Sequence, residues 1–379
     1  MVEVRSKMRN YHFFMKTESN KNVFRSAIFG RGLYQWLKGE TVLYPYDENL
    51  ELPVLTNILT GERFYIRFFQ GSYMKVLRLK YYIQHPNTTG QMVFPVDIVD
   101  IPYDGEDIKV YKDSRLNYHY EDSNFNIEND NNLYGIVFPL EHLHGRKRQT
   151  LKSWLQEKKF VASNSGIYLN GWTNPELRQV ILHLLSSVIA LNLSGYLLGD
   201  IHLSRILLDD ELNVQFEFTD LLYMNDEMEN SGEFVEPIAP KKGEYPLEFA
   251  EPAYIRGRVE RLDVQSQNYS ITALLFYLLF SHYPYADSYR TINDDEEDLI
   301  RYYSSMYRYF ENPIFVFEDS ESTRFGILED EQHVIHMWGE VGKQAQEMFL
   351  SALSKAKAER LEDYCAPNPS MWLDFLSMG

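Results

Sequence analysis

Cysteine is nearly absent: Cys365 is the single one in 379 residues. A disulfide framework within the chain is thereby excluded, and a reducing compartment fits. No persuasive base lies near Cys365 in sequence, so it reads as structural or incidental. Positive charge is also scarce. Lys and Arg total 37 against 55 Asp and Glu, a formal net charge of −18. Such a balance opposes broad, non-specific binding to nucleic acid or anionic lipid, whose phosphates would be repelled. The stretch Arg146-Lys147-Arg148 is too short to reverse this and reads as a solvated loop. Long apolar runs are missing too. The longest, Ile271 to Phe280, is too short to span a bilayer, and the start MVEVRSKMRNYHFF lacks the apolar core of a signal peptide. A cytoplasmic location without membrane association is expected. No repeat period and no Pro/Gly/Ser-rich linker stands out.

Apolar and aromatic residues are plentiful. Hydrophobic residues make up 44% of the chain and aromatics 15%, with 28 Tyr and 23 Phe, enough for a sizeable core. From about Gly39 to Leu140 the pattern reads mainly as strands. Glu40–Tyr44 and Leu52–Leu55 pair around the turn Pro45–Asn49, and Thr60–Glu62 turns into the alternating strand Arg63–Phe69. Ser72 to Gln84 is a helix stopped by His85-Pro86-Asn87, since the residue before proline disfavours helix. Met92–Ile101 and Tyr134–Leu140 are further strands, separated by an Asp/Asn/Tyr-rich loop over 102–132.

From about Thr150 onward helices dominate. Asn174-Pro175-Glu176 combines an N-cap, a proline at the first helical position and an acid in the first turn. The helix it opens runs to about Leu193 and is apolar around most of its circumference, as a buried helix should be. Ile271 to Phe280 is a second such helix. A β half followed by an α half predicts an α+β protein of two lobes sharing one cleft.

The stretch Gly195-Tyr-Leu-Leu-Gly-Asp-Ile-His-Leu-Ser-Arg-Ile-Leu-Leu-Asp209 resembles the catalytic loop of protein kinases and the apolar strand that follows it. Thr60 to Phe69 is similar to the turn and third strand that carry the ATP-binding lysine. His85-Pro86-Asn87 falls where kinases often have the same triplet, and Tyr134 to His142 looks like the strand entering the hinge. Phe249-Ala-Glu-Pro252 resembles a scrambled A-P-E. Ser266-Gln-Asn-Tyr-Ser270, Tyr283-Pro-Tyr285, Gln346-Glu-Met-Phe349, Arg360 and Trp372–Leu376 are similar to elements of the helical lobe. The resemblance spans roughly 39–379 and implies a bilobal kinase-like fold, with a β-rich small lobe and an α-helical large lobe. It divides the chain into an extension (1–38), a small lobe (39–143) and a large lobe (144–379). Residues 1–38 are expected to add a helix or hairpin to the small lobe. Asn312–Glu318, Met337-Trp338 and the final helices look similar to bacterial kinase-like proteins, which implies a bacterial, cytoplasmic protein.

Kinase chemistry rests on positioning and charge neutralisation: backbone amides and a lysine hold phosphates, side-chain oxygens hold Mg²⁺, and an aspartate orients the hydroxyl. Several of these parts are missing here. The turn Pro45–Asn49, where a glycine-rich loop is expected, has no glycine and two acids. Gly30-Arg31-Gly32 lies too far upstream to replace it. Arg67 stands where the strand lysine would be, and arginine matches neither its reach nor its shape. No acid occurs from Gly71 to His85, so the lysine's usual glutamate partner has no counterpart.

Asp200 occupies the place of the catalytic aspartate, either catalytically or by bonding loop amides. His202 stands where a basic residue is usual and reads as a satisfied loop residue. Arg205 replaces the metal-binding asparagine and has no acceptor to offer. At about 5 Å from Mg²⁺ its charge would be repelled by up to roughly 6–7 kcal/mol. The D-F-G position holds either Phe218-Thr219-Asp220 or, with two extra hairpin residues, Asp220-Leu221-Leu222. Alternation over Val214–Phe218 favours the second, which gives Asp220 to the metal.

The resemblance further predicts a buried structural ion pair between Glu251 and Arg360. His142 and His144 lack the further ligands a metal site needs. Asp294–Asp298 reads as a solvated, acid-rich helix start. These losses imply a pseudokinase that works through a protein partner, as scaffold or allosteric regulator. The alternatives are an atypical phosphotransferase using Asp200, Asp220 and Arg67 with ATP and Mg²⁺, or a nucleotide sensor without turnover.

Overall fold

The computed structural model describes residues 23–28, 32–70, 73–86, 89–101, 133–143, 148–165, 174–199, 201–218, 223–224, 249–259, 262–285, 313–318, 332–361 and 364–378. The protein is of mixed α+β class and divides into two compact units. The first comprises Met1–Pro86, Phe94–Asn117 and Glu121–Gly145; the second comprises Asn87–Val93, Tyr118–Tyr120 and Arg146–Gly379.

The first unit is built on a closed antiparallel barrel. Its strands are β1 (Val23–Ser26), β2 (Leu33–Tyr44), β3 (Asp47–Asn57), β4 (Arg63–Gln70), β5 (Asp97–Ile101) and β6 (Leu133–Pro139), in the order β1-β2-β3-β4-β6-β5. Helix α1 (Tyr73–Gln84) connects β4 towards β5. The sheet starts earlier than the pattern predicted. Residues 23–38, read as an extension, supply β1 and the first part of β2, which pair Val23 with Gln35 and Phe24 with Tyr34. β1 also pairs with β5, and this closes the barrel. The expected loop 102–132 lies outside the described residues.

Alternation sorts the side chains into two sets. Phe24, Tyr34, Trp36, Leu55, Phe64, Ile66, Phe68, Val99 and Val137 form the interior core. Gly135 pairs with Phe68 and Val99 across the sheet, and a side chain there would overlap Ile66. Tyr65, Arg67, Ile136 and Phe138 belong to the opposite face of their strands.

The second unit contains eight of the nine helices among the described residues, with short strands between them. After β7 (Arg148–Thr150) and α2 (Leu151–Ser165) comes α3 (Pro175–Leu193). Asn174 caps α3 as its sequence predicts: its side-chain oxygen accepts from the Leu177 amide at 3.0 Å. By length and composition α3 could cross a membrane. Within this unit, however, Leu177, Val180, Ile181, Leu184, Leu185, Val188 and Leu191 are buried, with α9 (Pro369–Met378) and β10 (Val214–Phe216) among its neighbours.

Helix α5 (Val264–Phe280) starts at an Asp263–Ser266 capping box and is buried along most of its length. Its aromatic end packs with the chain around Phe315 and with α6 (Gln332–Glu340) and α7 (Gly342–Leu353). Phe276 lies 5.4 Å from Phe349, Phe280 lies 6.0 Å from Trp338, and Trp338 stacks on Phe317 at 4.3 Å. Such contacts explain why so aromatic a chain needs no disulfide: each large ring buries about 150–250 Å².

Candidate functional site

Arg67 sits mid-strand in β4 and is 2% exposed. Its guanidinium carbon lies 5.1 Å from the centre of the Tyr44 ring and 5.8 Å from that of Phe138. Tyr65, directly across the ladder from Phe138, stacks on it at 5.1 Å. Tyr44 in turn contacts Tyr46, at 5.3 Å, in the glycine-free turn between β2 and β3. The cation is thus held against aromatic faces, which attract a guanidinium well. These rings are not legible in the sequence, because Tyr44 and Phe138 lie far from Arg67 along the chain and meet it only in the folded barrel.

In the second unit the stretch from Leu198 to Arg205 is anchored at both ends. The Leu198 amide donates to the buried Gln267 side chain of α5 at 2.7 Å. His202 is 5% exposed and its Nδ1 accepts from the Ser204 amide at 3.1 Å, which caps a short 3₁₀ turn, Leu203–Arg205. The His202 ring therefore holds the loop shape. Asp200 lies outside the described residues.

Arg205 ends that turn and is 4% exposed; opposite it is Glu217, 3% exposed. Strand β9 (Ile206–Asp209) pairs with β10 in unbroken register, Phe216 with Ile206 through Val214 with Leu208. One step further, the Glu217 amide donates to the Arg205 carbonyl at 2.8 Å. The backbone thereby fixes the two side chains side by side, with Arg205 Nε 3.9 Å from Glu217 Oε2. The hairpin closes tightly: Asp209 Oδ1 accepts from the Glu211 and Asn213 amides, and Leu212 takes the left-handed conformation at φ 61°. Phe218, which follows this hairpin, is buried. Asp220 lies outside the described residues, as do His144, Arg146 and Lys147. Arg148 is described, and its guanidinium donates to Gln215 at 2.8 Å.

Glu251 and Arg360 are brought together. Arg360 Nε donates to Glu251 Oε1 at 2.6 Å and Nη2 to Oε2 at 2.9 Å. The same guanidinium donates twice to Asp263, each at 2.8 Å, so it joins the turn before α4 (Pro252–Ile255) to the start of α5. Burial raises the pKa of Glu251, with hydrogen bonds from Arg360 and Ser266 opposing it. Burial pushes Asp263 the same way, but Arg360 and the Ser266 amide outweigh it, and its pKa falls below the usual value. Burial lowers the Arg360 pKa, and its two carboxylate partners more than reverse that. Tyr364, whose ring faces Arg360 at 5.1 Å, is raised by burial and by Glu251. Glu359 adds a parallel bridge to Arg256 and Arg258.

Among the described residues no group of three or more His, Cys, Asp or Glu could hold a metal ion. No protein-family model and no curated protein matches the chain.

Proposed function

We propose that this chain is a kinase-like protein whose catalytic parts have been converted to structure, and that it acts by binding a protein partner without transferring phosphate. The observation that carries this reading is the buried Arg205–Glu217 pair. At the position the resemblance gives to a metal-binding amide stands a buried cation, with the Glu217 carboxylate 3.9 Å from its Nε. A guanidinium has no lone pair for Mg²⁺ and would repel it. Arg67 supports the same conclusion. In the lysine's place is a residue packed against Tyr44 and Phe138, so moving it to meet a phosphate would forfeit both ring contacts.

The kinase-like part of the proposal draws on order and pairing. A helix follows the third of the strands beginning at β2, as the resemblance implies. The strand order β2-β3-β4-β6-β5 and the Glu251–Arg360 pair agree with it as well. The acidic chain favours a partner with a basic patch, since complementary potentials steer encounter.

Incubation with radiolabelled ATP, Mg²⁺ and generic protein substrates tests the reading. The expected result is no incorporation, by the chain or any substrate, above a heat-inactivated control. Incorporation that disappears in Asp200→Asn would overturn it in favour of an active phosphotransferase.

A further inference from the structure

The barrel closes where β1 meets β5, and this is the shortest ladder among its described strands. Arg25 pairs there with Asp100 and Ser26 with Val99, against seven pairs between β4 and β6, from Phe64 with Pro139 to Gln70 with Leu133. Just past β1, the Ala27 amide donates to the Ile98 carbonyl at 2.6 Å. The seam is also tied from inside the barrel. Asp97 lies on the same face of β5 as the core residue Val99 and is fully buried. Its Oδ1 accepts from the Ser26 hydroxyl of β1 at 2.6 Å and from the Ile98 amide at 2.8 Å. Its Oδ2 accepts from the Tyr34 hydroxyl of β2 at 2.9 Å. One carboxylate on β5 thus holds both β1 and β2, through bonds stronger than those to a neutral acceptor. Gly32 makes room for this arrangement, since a Cβ there would meet the Tyr34 ring at 2.5 Å.

The Ser26 hydroxyl has a second acceptor. The Ile28 carbonyl lies 2.8 Å from it, and the Ile28 amide donates to it at 3.0 Å. A hydroxyl has one proton, so it bonds either across the seam to Asp97 or along its own chain to Ile28. The bond across the seam can therefore break without leaving the hydroxyl unpaired. Asp97 then keeps the Ile98 and Tyr34 donors, and β1 keeps its three pairs with β2.

We propose that β1 is a releasable latch on the barrel, with Asp97 as its catch: β1 parts from β5 while it stays on β2, and the rest of the barrel remains paired. The opened seam bares backbone N–H and C=O groups of β5, the kind of edge to which an extended strand adds. This inference does not depend on the kinase-like reading.

Residue-resolved amide hydrogen exchange of the full chain tests it, with Ala27 as the seam reporter and the amides of β4 and β6 as reference. In the unaltered protein Ala27 should exchange faster than the reference amides, because the seam opens at a lower free energy than the whole barrel. Asp97→Asn keeps the shape of the catch but removes its charge and leaves the Tyr34 proton without an acceptor. It should speed Ala27 exchange about tenfold, the worth of one hydrogen bond to a charged group, and leave β4 and β6 as they were. Ser26→Ala cuts the bond to β1 alone and should have the same effect on Ala27, so the test stands even if Asp97→Asn does not fold. The proposal is overturned if Ala27 exchanges only as slowly as the β4 and β6 amides. It is equally overturned if a folded variant leaves Ala27 unchanged or speeds all barrel amides alike.

Discussion

Replacing Arg360 with methionine should cost the second unit about 3–5 kcal/mol, the loss typical when one member of a buried ion pair is removed. Methionine keeps an apolar stem of similar length but removes every hydrogen bond that ties Arg360 to Glu251 and Asp263. The Glu251 side chain is fully buried, so water cannot replace the guanidinium, whereas Asp263 is 43% exposed and can be rehydrated. Glu251→Gln should therefore be the milder change. It leaves Arg360 two hydrogen bonds to Asp263 and removes a charge that burial disfavours.

The asymmetry has a pH signature. The folded-state pKa of Glu251 is raised, so its contribution is fully present below the unfolded value and is lost as pH rises through the folded one. Without Arg360 that pKa climbs further, since the guanidinium is what holds it down. Arg360→Met should then recover stability between pH 7 and pH 5, by at most about 2.7 kcal/mol at 1.36 per unit. Urea unfolding followed by tryptophan fluorescence at both pH values measures this. Equal losses for the two variants, or a loss for Arg360→Met that ignores pH, would refute the reasoning.

Asp263 carries the opposite sign: its lowered pKa gives stability that is present above its unfolded value, about 3.9, and lost as pH falls through the folded one. Asp263→Asn should flatten the decline of the urea midpoint between pH 5 and pH 2. Gly135→Ala should destabilise the barrel by about 1–3 kcal/mol, the usual cost of overpacking, because its methyl group meets Ile66; hydrogen exchange of β4 and β6 amides would report it. Arg205→Asn restores the residue type the resemblance leads one to expect but takes the guanidinium from buried Glu217. It should lower thermal stability without creating any response to Mg-ATP, which calorimetry with and without nucleotide would reveal.

Much of the fold was legible because local signals agreed with each other. The strand Arg63–Phe69, the stop at His85-Pro86 and the Asn174-Pro175-Glu176 start each rest on chemistry within a few residues, and the elements appear there. The Glu251–Arg360 pair came from the family resemblance. Sequence distance hid the rest. β1 was foreseen only as part of a helix or hairpin within 1–38, because four residues of weak pattern gain their strand only by pairing with β2 on one side and β5 on the other. The partner of Arg205 was missed because Glu217 meets it only across the β9–β10 hairpin, whose register is set by the tight turn at Leu212.

Thermal unfolding of the full chain with saturating Mg-ATP, beside ADP and EDTA controls, tests most directly whether the phosphate- and metal-binding parts have been turned to structure. The account predicts no shift in midpoint, because Arg67 is packed against its aromatic neighbours and Arg205 puts a buried cation where an Mg²⁺ ligand is needed. A Mg²⁺-dependent rise would contradict it. Ligand at about a hundred times its dissociation constant stabilises by roughly 2.7 kcal/mol, which raises the midpoint by a degree or more and could not be missed.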